Sequence, residues 1–157
     1  MAVEQKVALV TGASRGIGAA IADDLGRYDI TVVGTATTQA GADKISERFA
    51  EKNISGRGMV LNVTELESID GLLKAIGAEF GAPTILVNNA GITFSADVLD
   101  YPDDAWRKTM QVNLDAPFQL SKRFGAMMKD QGCGSIINIT SLASEMGFPN
   151  NPAYVAA

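Results

Sequence analysis

Apolar positions come first in short unbroken runs rich in β-branched residues: Val7-Ala8-Leu9-Val10, Ile30-Thr31-Val32-Val33, Met59-Val60-Leu61, Ile85-Leu86-Val87 and Ser135-Ile136-Ile137-Asn138-Ile139. Runs that are apolar at successive positions, not at every second one, predict strands covered on both faces of a parallel sheet. Between them the period changes. Ile69, Leu72, Leu73, Ile76 and Phe80 fall at offsets of 3, 4, 7 and 11 from the first, which is one face of an amphipathic helix. Thr64-Glu65-Leu66-Glu67 predicts a capping box at its start. Weaker helical patterns fill residues 16–27, 39–52 and 103–130. Strand and helix alternate as βαβαβ, so the fold class expected is α/β, a single doubly wound parallel-sheet (Rossmann) domain over residues 1–157 with right-handed crossovers. The six-stranded form of that sheet has the order 3-2-1-4-5-6. Five strands are present, so the domain is expected to be incomplete at its C-terminal end, with the fifth strand left as an edge.

Composition narrows the chemistry. The chain has 157 residues, 46% hydrophobic and 20% charged, enough for one modest core. Its 13 bases against 18 acids give a net charge of −5 without a basic block, a poor match to a phosphate backbone, so no nucleic-acid partner is expected. Histidine is absent, which excludes Ser-His-Asp and Cys-His nucleophiles and HExxH metal sites, and no metal site is expected. The lone Cys133 permits no intrachain disulfide, in keeping with a cytoplasmic setting. Residues Met1–Lys6 lack the layout of a signal peptide, and no apolar run reaches the roughly 18 residues of a membrane span.

The first strand runs into Thr11-Gly12-Ala13-Ser14-Arg15-Gly16-Ile17-Gly18 and then a helix. In that context Gly12 allows a tight turn, Gly16 lets backbone approach a diphosphate and Gly18 permits close helix packing, while the helix N-terminus offers free N–H groups. Binders of NAD usually place an acid about 20 residues on, at the end of the second strand. Here that stretch is Gly34-Thr35-Ala36-Thr37-Thr38. Hydroxyls such as Thr37 can donate to a ribose 2′-phosphate, and Arg15 can pair with its charge, so NADP (NADPH) is the cofactor expected.

With Asn88-Asn89-Ala90-Gly91, Asn113, Ser141 and Tyr154, these residues follow a family's motifs in order, and the chain resembles the short-chain dehydrogenases/reductases over nearly its whole length. Within that family, Gly34-Thr35-Ala36-Thr37-Thr38 and Leu61-Asn62-Val63-Thr64 resemble the bacterial reductases of 3-oxoacyl groups on acyl carrier protein. The resemblance implies that Asn62 and Val63 contact adenine and that Asn89, Ala90 and Gly91 line the cofactor cleft; alone, Asn88-Asn89 would read as a turn. It also implies that Tyr154 is the proton donor to a ketone oxygen and touches the cofactor, and that Ser141 donates a hydrogen bond to that oxygen. Without histidine, a phenol is the best remaining acid, and a free phenol has a pKa of about 10 and needs a nearby cation. The family's lysine, four residues after the tyrosine, falls at position 158, beyond Ala157; a polypeptide ending here is expected to bind nucleotide with little turnover.

Asn113 would belong to a proton relay, holding water on its backbone carbonyl. Pro117 has no N–H with which to bond that carbonyl, so either the oxygen is left to water or Pro117 simply opens a new helical segment. The reaction implied is NADPH-dependent reduction of a 3-oxoacyl thioester in fatty acid synthesis. Alternatives are another carbonyl substrate such as acetoacetyl-CoA, and an inactive nucleotide-binding fragment. Lys129-Asp130-Gln131-Gly132-Cys133-Gly134 carries one base and one acid where the family is basic, which weakens the carrier-protein reading, and Thr84 replaces a common aspartate. A homotetramer is expected, with Trp106, Phe118 and Phe124 serving core or interface.

Overall fold

The computed structural model describes residues 6–157; the signal-peptide reading on residues 1–5 lies outside the described residues. Five parallel strands, β1 (Val7–Val10), β2 (Thr31–Ala36), β3 (Gly56–Val60), β4 (Ile85–Asn88) and β5 (Ser135–Asn138), form one sheet in the order β3-β2-β1-β4-β5. The helices are α1 (Gly16–Gly26), α2 (Gln39–Glu51), α3 (Leu66–Glu79), α4 (Asp103–Met110), α5 (Ala116–Gln131) and α6 (Pro152–Ala156). Side chains alternate across each strand, so the unbroken apolar runs feed two cores. Val7, Leu9, Val33 and Leu86 pack with Ile69, Leu72, Leu73 and Ile76 of α3 and Leu120, Phe124 and Met128 of α5. Val10, Val32 and Val87 pack on the other face with Ala22, Ile45 and Phe49 of α1 and α2. The chain reverses direction across the sheet between β1 and β4, which puts a crevice at their carboxyl ends, where doubly wound sheets take ligands. No helix among the described residues is long and apolar enough to cross a membrane.

Several local expectations change. Coverage on both faces holds throughout β1 and β2, whereas every residue of β5 is exposed at the sheet edge. The second strand runs on through Thr35 to Ala36, both buried. The third strand takes in Gly58, whose Cβ would collide with the Ala42 backbone of α2, so a residue with no side chain is what lets that helix close onto the sheet. The capping box does not form: Glu65 is the N-cap of α3 but its side chain makes no cap bond to the helix backbone, and the Thr64 hydroxyl donates instead to Asn62 Oδ1 at 2.8 Å. The pattern over 103–130 divides at a π-helical turn, Gln111–Asp115, with Pro117 in the first turn of α5. A π turn lets the helix path continue past a proline that would otherwise crowd the preceding turn. Of the aromatic residues left between core and interface, Phe124 is buried, while Trp106 and Phe118 are exposed. Thr84 does leave a bond unmade: its hydroxyl is buried with no partner among the described residues.

Candidate active site

The glycine loop is built from Thr11 outward. The Thr11 side chain is buried at the end of β1, where its hydroxyl accepts from the backbone N–H of Asn89 and of Ala90, both at 3.0 Å, and donates to the Val87 carbonyl at 3.3 Å. One hydroxyl thereby joins the exits of β1 and β4. Gly12 follows with φ +66°, and a Cβ there would stand 3.1 Å from Ala90 Cα, so the position excludes a side chain twice over. A Cβ on Gly18 would run into the Gly12 carbonyl and Asn89 Nδ2, in keeping with the close packing expected of that glycine. The loop also leans on β2: Ala13 N–H donates to the Thr35 carbonyl at 2.9 Å, and Gly12 N–H to the Thr35 hydroxyl at 3.3 Å.

Ser14, Arg15, Gly16 and Ile17 are exposed. Arg15, extended at φ −160°, is the N-cap of α1 but makes no side-chain cap bond, and the first turn carries no acid. The N–H groups there keep their capacity for an anion. At the end of β2, Thr38 caps α2 by accepting from Gly41 N–H at 3.2 Å, whereas Thr37 is exposed. No acid stands at that strand end to repel a 2′-phosphate.

Asn89 was expected to line the cleft. Its amide nitrogen ties it to the glycine loop, donating to the Thr11 carbonyl at 2.9 Å and the Gly12 carbonyl at 3.2 Å. Ala90 is half-buried and Gly91 exposed beyond β4. Asn62 braces its own turn: Nδ2 donates to Glu65 at 2.7 Å, its backbone N–H donates to the Ser68 hydroxyl at 3.0 Å, and Oδ1 receives Thr64. Val63 is partly buried against the core.

Asn113 sits in the π turn and holds the loop after β4 by both side-chain atoms, Oδ1 accepting from Ile92 N–H at 2.9 Å and Nδ2 donating to the Ile92 carbonyl at 2.8 Å. The same loop reaches the approach to α6, where the Thr93 hydroxyl meets Asn151 Oδ1 at 2.8 Å and Ala96 N–H donates to the Asn150 carbonyl at 2.9 Å. Past β5, Ser141 opens a short 3₁₀ turn, Leu142–Ser144, accepting from Ala143 N–H at 3.2 Å. Since that bond uses a lone pair, the hydroxyl hydrogen of Ser141 remains to be donated. Tyr154 is half-buried on α6, which packs on α4 and on the Ser141 turn. The elements carrying Asn113, Ser141 and Tyr154 are thus tied into one end of the sheet. Thr11, Thr35, Asn151 and Arg48, whose guanidinium donates to the Ala13 carbonyl at 2.9 Å, were not singled out from sequence. For Thr11 a signal existed, a hydroxyl immediately before the first glycine; for Arg48 there was none.

A glycine loop between β1 and α1 at the turning point of a parallel sheet, with a serine and a tyrosine both beyond β5, defines a doubly wound fold of the dinucleotide-binding type. The family described as short chain dehydrogenase matches residues 6–157, and the chain belongs to it. It is 45% identical over 157 residues to a 3-oxoacyl-[acyl-carrier-protein] reductase of Salmonella typhimurium and 48% identical over 159 residues to one of Vibrio cholerae. It spans all of its own length but 63% of each of these curated relatives. Among solved structures, a putative short-chain alcohol dehydrogenase from Sinorhizobium meliloti superposes with a TM-score of 0.91 at 31% identity, over 98% of this chain and 61% of the other. A gluconate 5-dehydrogenase from Burkholderia cenocepacia, in complex with NADP and tartrate, gives 0.91 at 32% identity, over 98% and 60%.

Proposed function

We propose that this chain carries the cofactor-binding and proton-donating part of an NADPH-dependent reductase of 3-oxoacyl thioesters, with acyl carrier protein as the acyl carrier. The observation that carries the reading is the glycine loop held open by Thr11, Thr35 and Asn89 at the head of an uncapped α1, in a chain 44–48% identical to reductases of that name. The residues fit NADPH. Gly16 to Gly18, at the uncapped start of α1, offer backbone donors to a diphosphate, and Arg15 and Thr37 are exposed where the 2′-phosphate would stand. Asn62 and Val63 would border the adenine, and Asn89, Ala90 and Gly91 would line the cofactor cleft beyond β4. The cofactor, when bound, supplies hydride to the carbonyl carbon.

The chain's own contribution is to the oxygen. Ser141, with its hydrogen free, donates to the substrate carbonyl and stabilises charge as it develops there, while the Tyr154 phenol delivers the proton. Asn113 keeps the Ile92 loop in place, and that loop is bonded to Asn150 and Asn151 just ahead of α6. The exposed Trp106, Leu114 and Phe118 along α4, the π turn and α5 suit contact with further copies of the chain, as a homotetramer would require.

Two measurements test this. Fluorescence titration of the polypeptide should show NADPH binding in preference to NADH, and no binding of either would overturn the reading. In the intact protein, 3-oxoacyl thioesters should be turned over far better than simple ketones; the reverse preference would refute the substrate class, and preference for coenzyme A over carrier-protein thioesters would refute the carrier.

A further inference from the structure

Arg48 lies on α2, 35 residues from the glycine loop, and nothing in the proposed reaction requires it. Its Nη2 donates to the Ala13 carbonyl at 2.9 Å and its Nε to Asp23 Oδ1 of α1 at 2.9 Å, while the second carboxylate oxygen of Asp23 receives Lys52 Nζ at 2.6 Å. The guanidinium carbon stands 5.4 Å from the centre of the Phe49 ring. Only 20% of the Arg48 side chain and 13% of Asp23 are exposed. Two hydrogen bonds and a ring contact fix the plane of this fork, which a lysine could not reproduce.

The grip falls on a particular peptide. Ala13 N–H is held by Thr35 of β2 and Ala13 C=O by Arg48 of α2, so both backbone groups of a buried residue are pinned. In a planar trans peptide the carbonyl of one residue and the N–H of the next point in opposite directions. Fixing the Ala13 carbonyl on Arg48 therefore points the N–H of Ser14, the residue just before Arg15, away from the guanidinium. A cation on the carbonyl also polarises the peptide and strengthens that N–H as a donor. Arg48 bonds nothing in Gly16–Gly18, the stretch read as facing the diphosphate.

We infer that Arg48 is a positioning residue for the phosphate on the adenosine ribose: by pinning the Ala13–Ser14 peptide it orients the donor beside Arg15 and sets the preference for NADPH over NADH. This rests on the reading of the chain as an NADPH binder. The test is the dissociation constant for each cofactor, with urea unfolding of the same samples. Arg48→Met should weaken NADPH about tenfold and NADH less than about threefold, the size expected for a charge-assisted bond acting on one ligand only. Arg48→Lys, which keeps the charge and loses the fork, should restore NADH binding fully and NADPH binding in part. Equal losses for both cofactors, leaving the ratio unchanged, would make Arg48 a support for stability alone and overturn the assignment. Should Arg48→Met fail to fold, the ratio in Arg48→Lys decides by the same criterion. Wild-type protein that binds neither cofactor would overturn the parent reading and this one with it, whereas wild-type binding with an unchanged ratio overturns this one alone.

Discussion

Replacing Thr11 by valine is nearly isosteric and removes one oxygen. That oxygen accepts from Asn89 N–H and Ala90 N–H at 3.0 Å each and donates to the Val87 carbonyl. A buried donor left without an acceptor costs about 1–3 kcal/mol. Two are orphaned here, but Asn89 and Ala90 are only half-buried and water can reach them in part, so the expected loss is about 2–4 kcal/mol. The Val87 carbonyl stays satisfied by the Thr11 backbone N–H at 3.1 Å and adds nothing to the loss. For a domain of this size each kcal/mol lowers Tm by about 2–4 °C, so thermal unfolding should move down by about 5–15 °C. Thr11→Ser keeps the oxygen and should recover most of the difference. Because the lost bonds join the exits of β1 and β4, NADPH affinity should weaken in the valine variant as well. Unfolding of Thr11→Val within about 0.5 kcal/mol of wild type, the scatter of ordinary surface substitutions, would refute the account of Thr11 as the joint of the site.

Other substitutions probe separate parts of the molecule. Burial alone would raise the Asp23 carboxyl, but the hydrogen bonds from Lys52 and Arg48, with their charges, hold it below its ordinary value. Its stabilisation is therefore present above about pH 4 and lost as pH falls through the lowered value, so urea unfolding of wild type should weaken more steeply in acid than that of Asp23→Asn. Asn113→Ala removes both bonds to Ile92, and amide hydrogen exchange over residues 92–96 should speed up about tenfold; unchanged exchange would deny the clamp. Tyr154→Phe in the intact protein should lower kcat about 10²-fold or more while NADPH still binds, and retained turnover would remove the phenol from the proposed chemistry.

Much of the fold was legible because strand and helix are local patterns. The runs at residues 7–10, 85–87 and 135–139 locate β1, β4 and β5 closely, and the offsets of Ile69, Leu72, Leu73 and Ile76 give the buried face of α3. Strand ends were less legible. Gly34, Thr35 and Ala36 read as the close of a strand by composition, yet parallel pairing with Gly58, Met59 and Val60 carries them fully into the sheet. The Thr64 capping box failed for a related reason: Asn62 offers Oδ1 only two residues away, and the threonine hydroxyl takes that nearer acceptor.

The glycine spacing, the absent acid after β2 and the joint presence of Ser141 and Tyr154 belong to the sequence, since each depends on residue type and order. What the residues do to one another was decided by the tertiary structure. Asn89 reaches the carbonyls of Thr11 and Gly12 across 78 and 77 positions, Arg48 reaches Ala13 across 35, and Asn113 reaches Ile92 across 21. Such pairs meet only after the parallel strands align and the crossover helices pack. A polar side chain advertises in sequence that it can bond, while the partner is chosen by whichever backbone group the folded chain brings within about 3 Å.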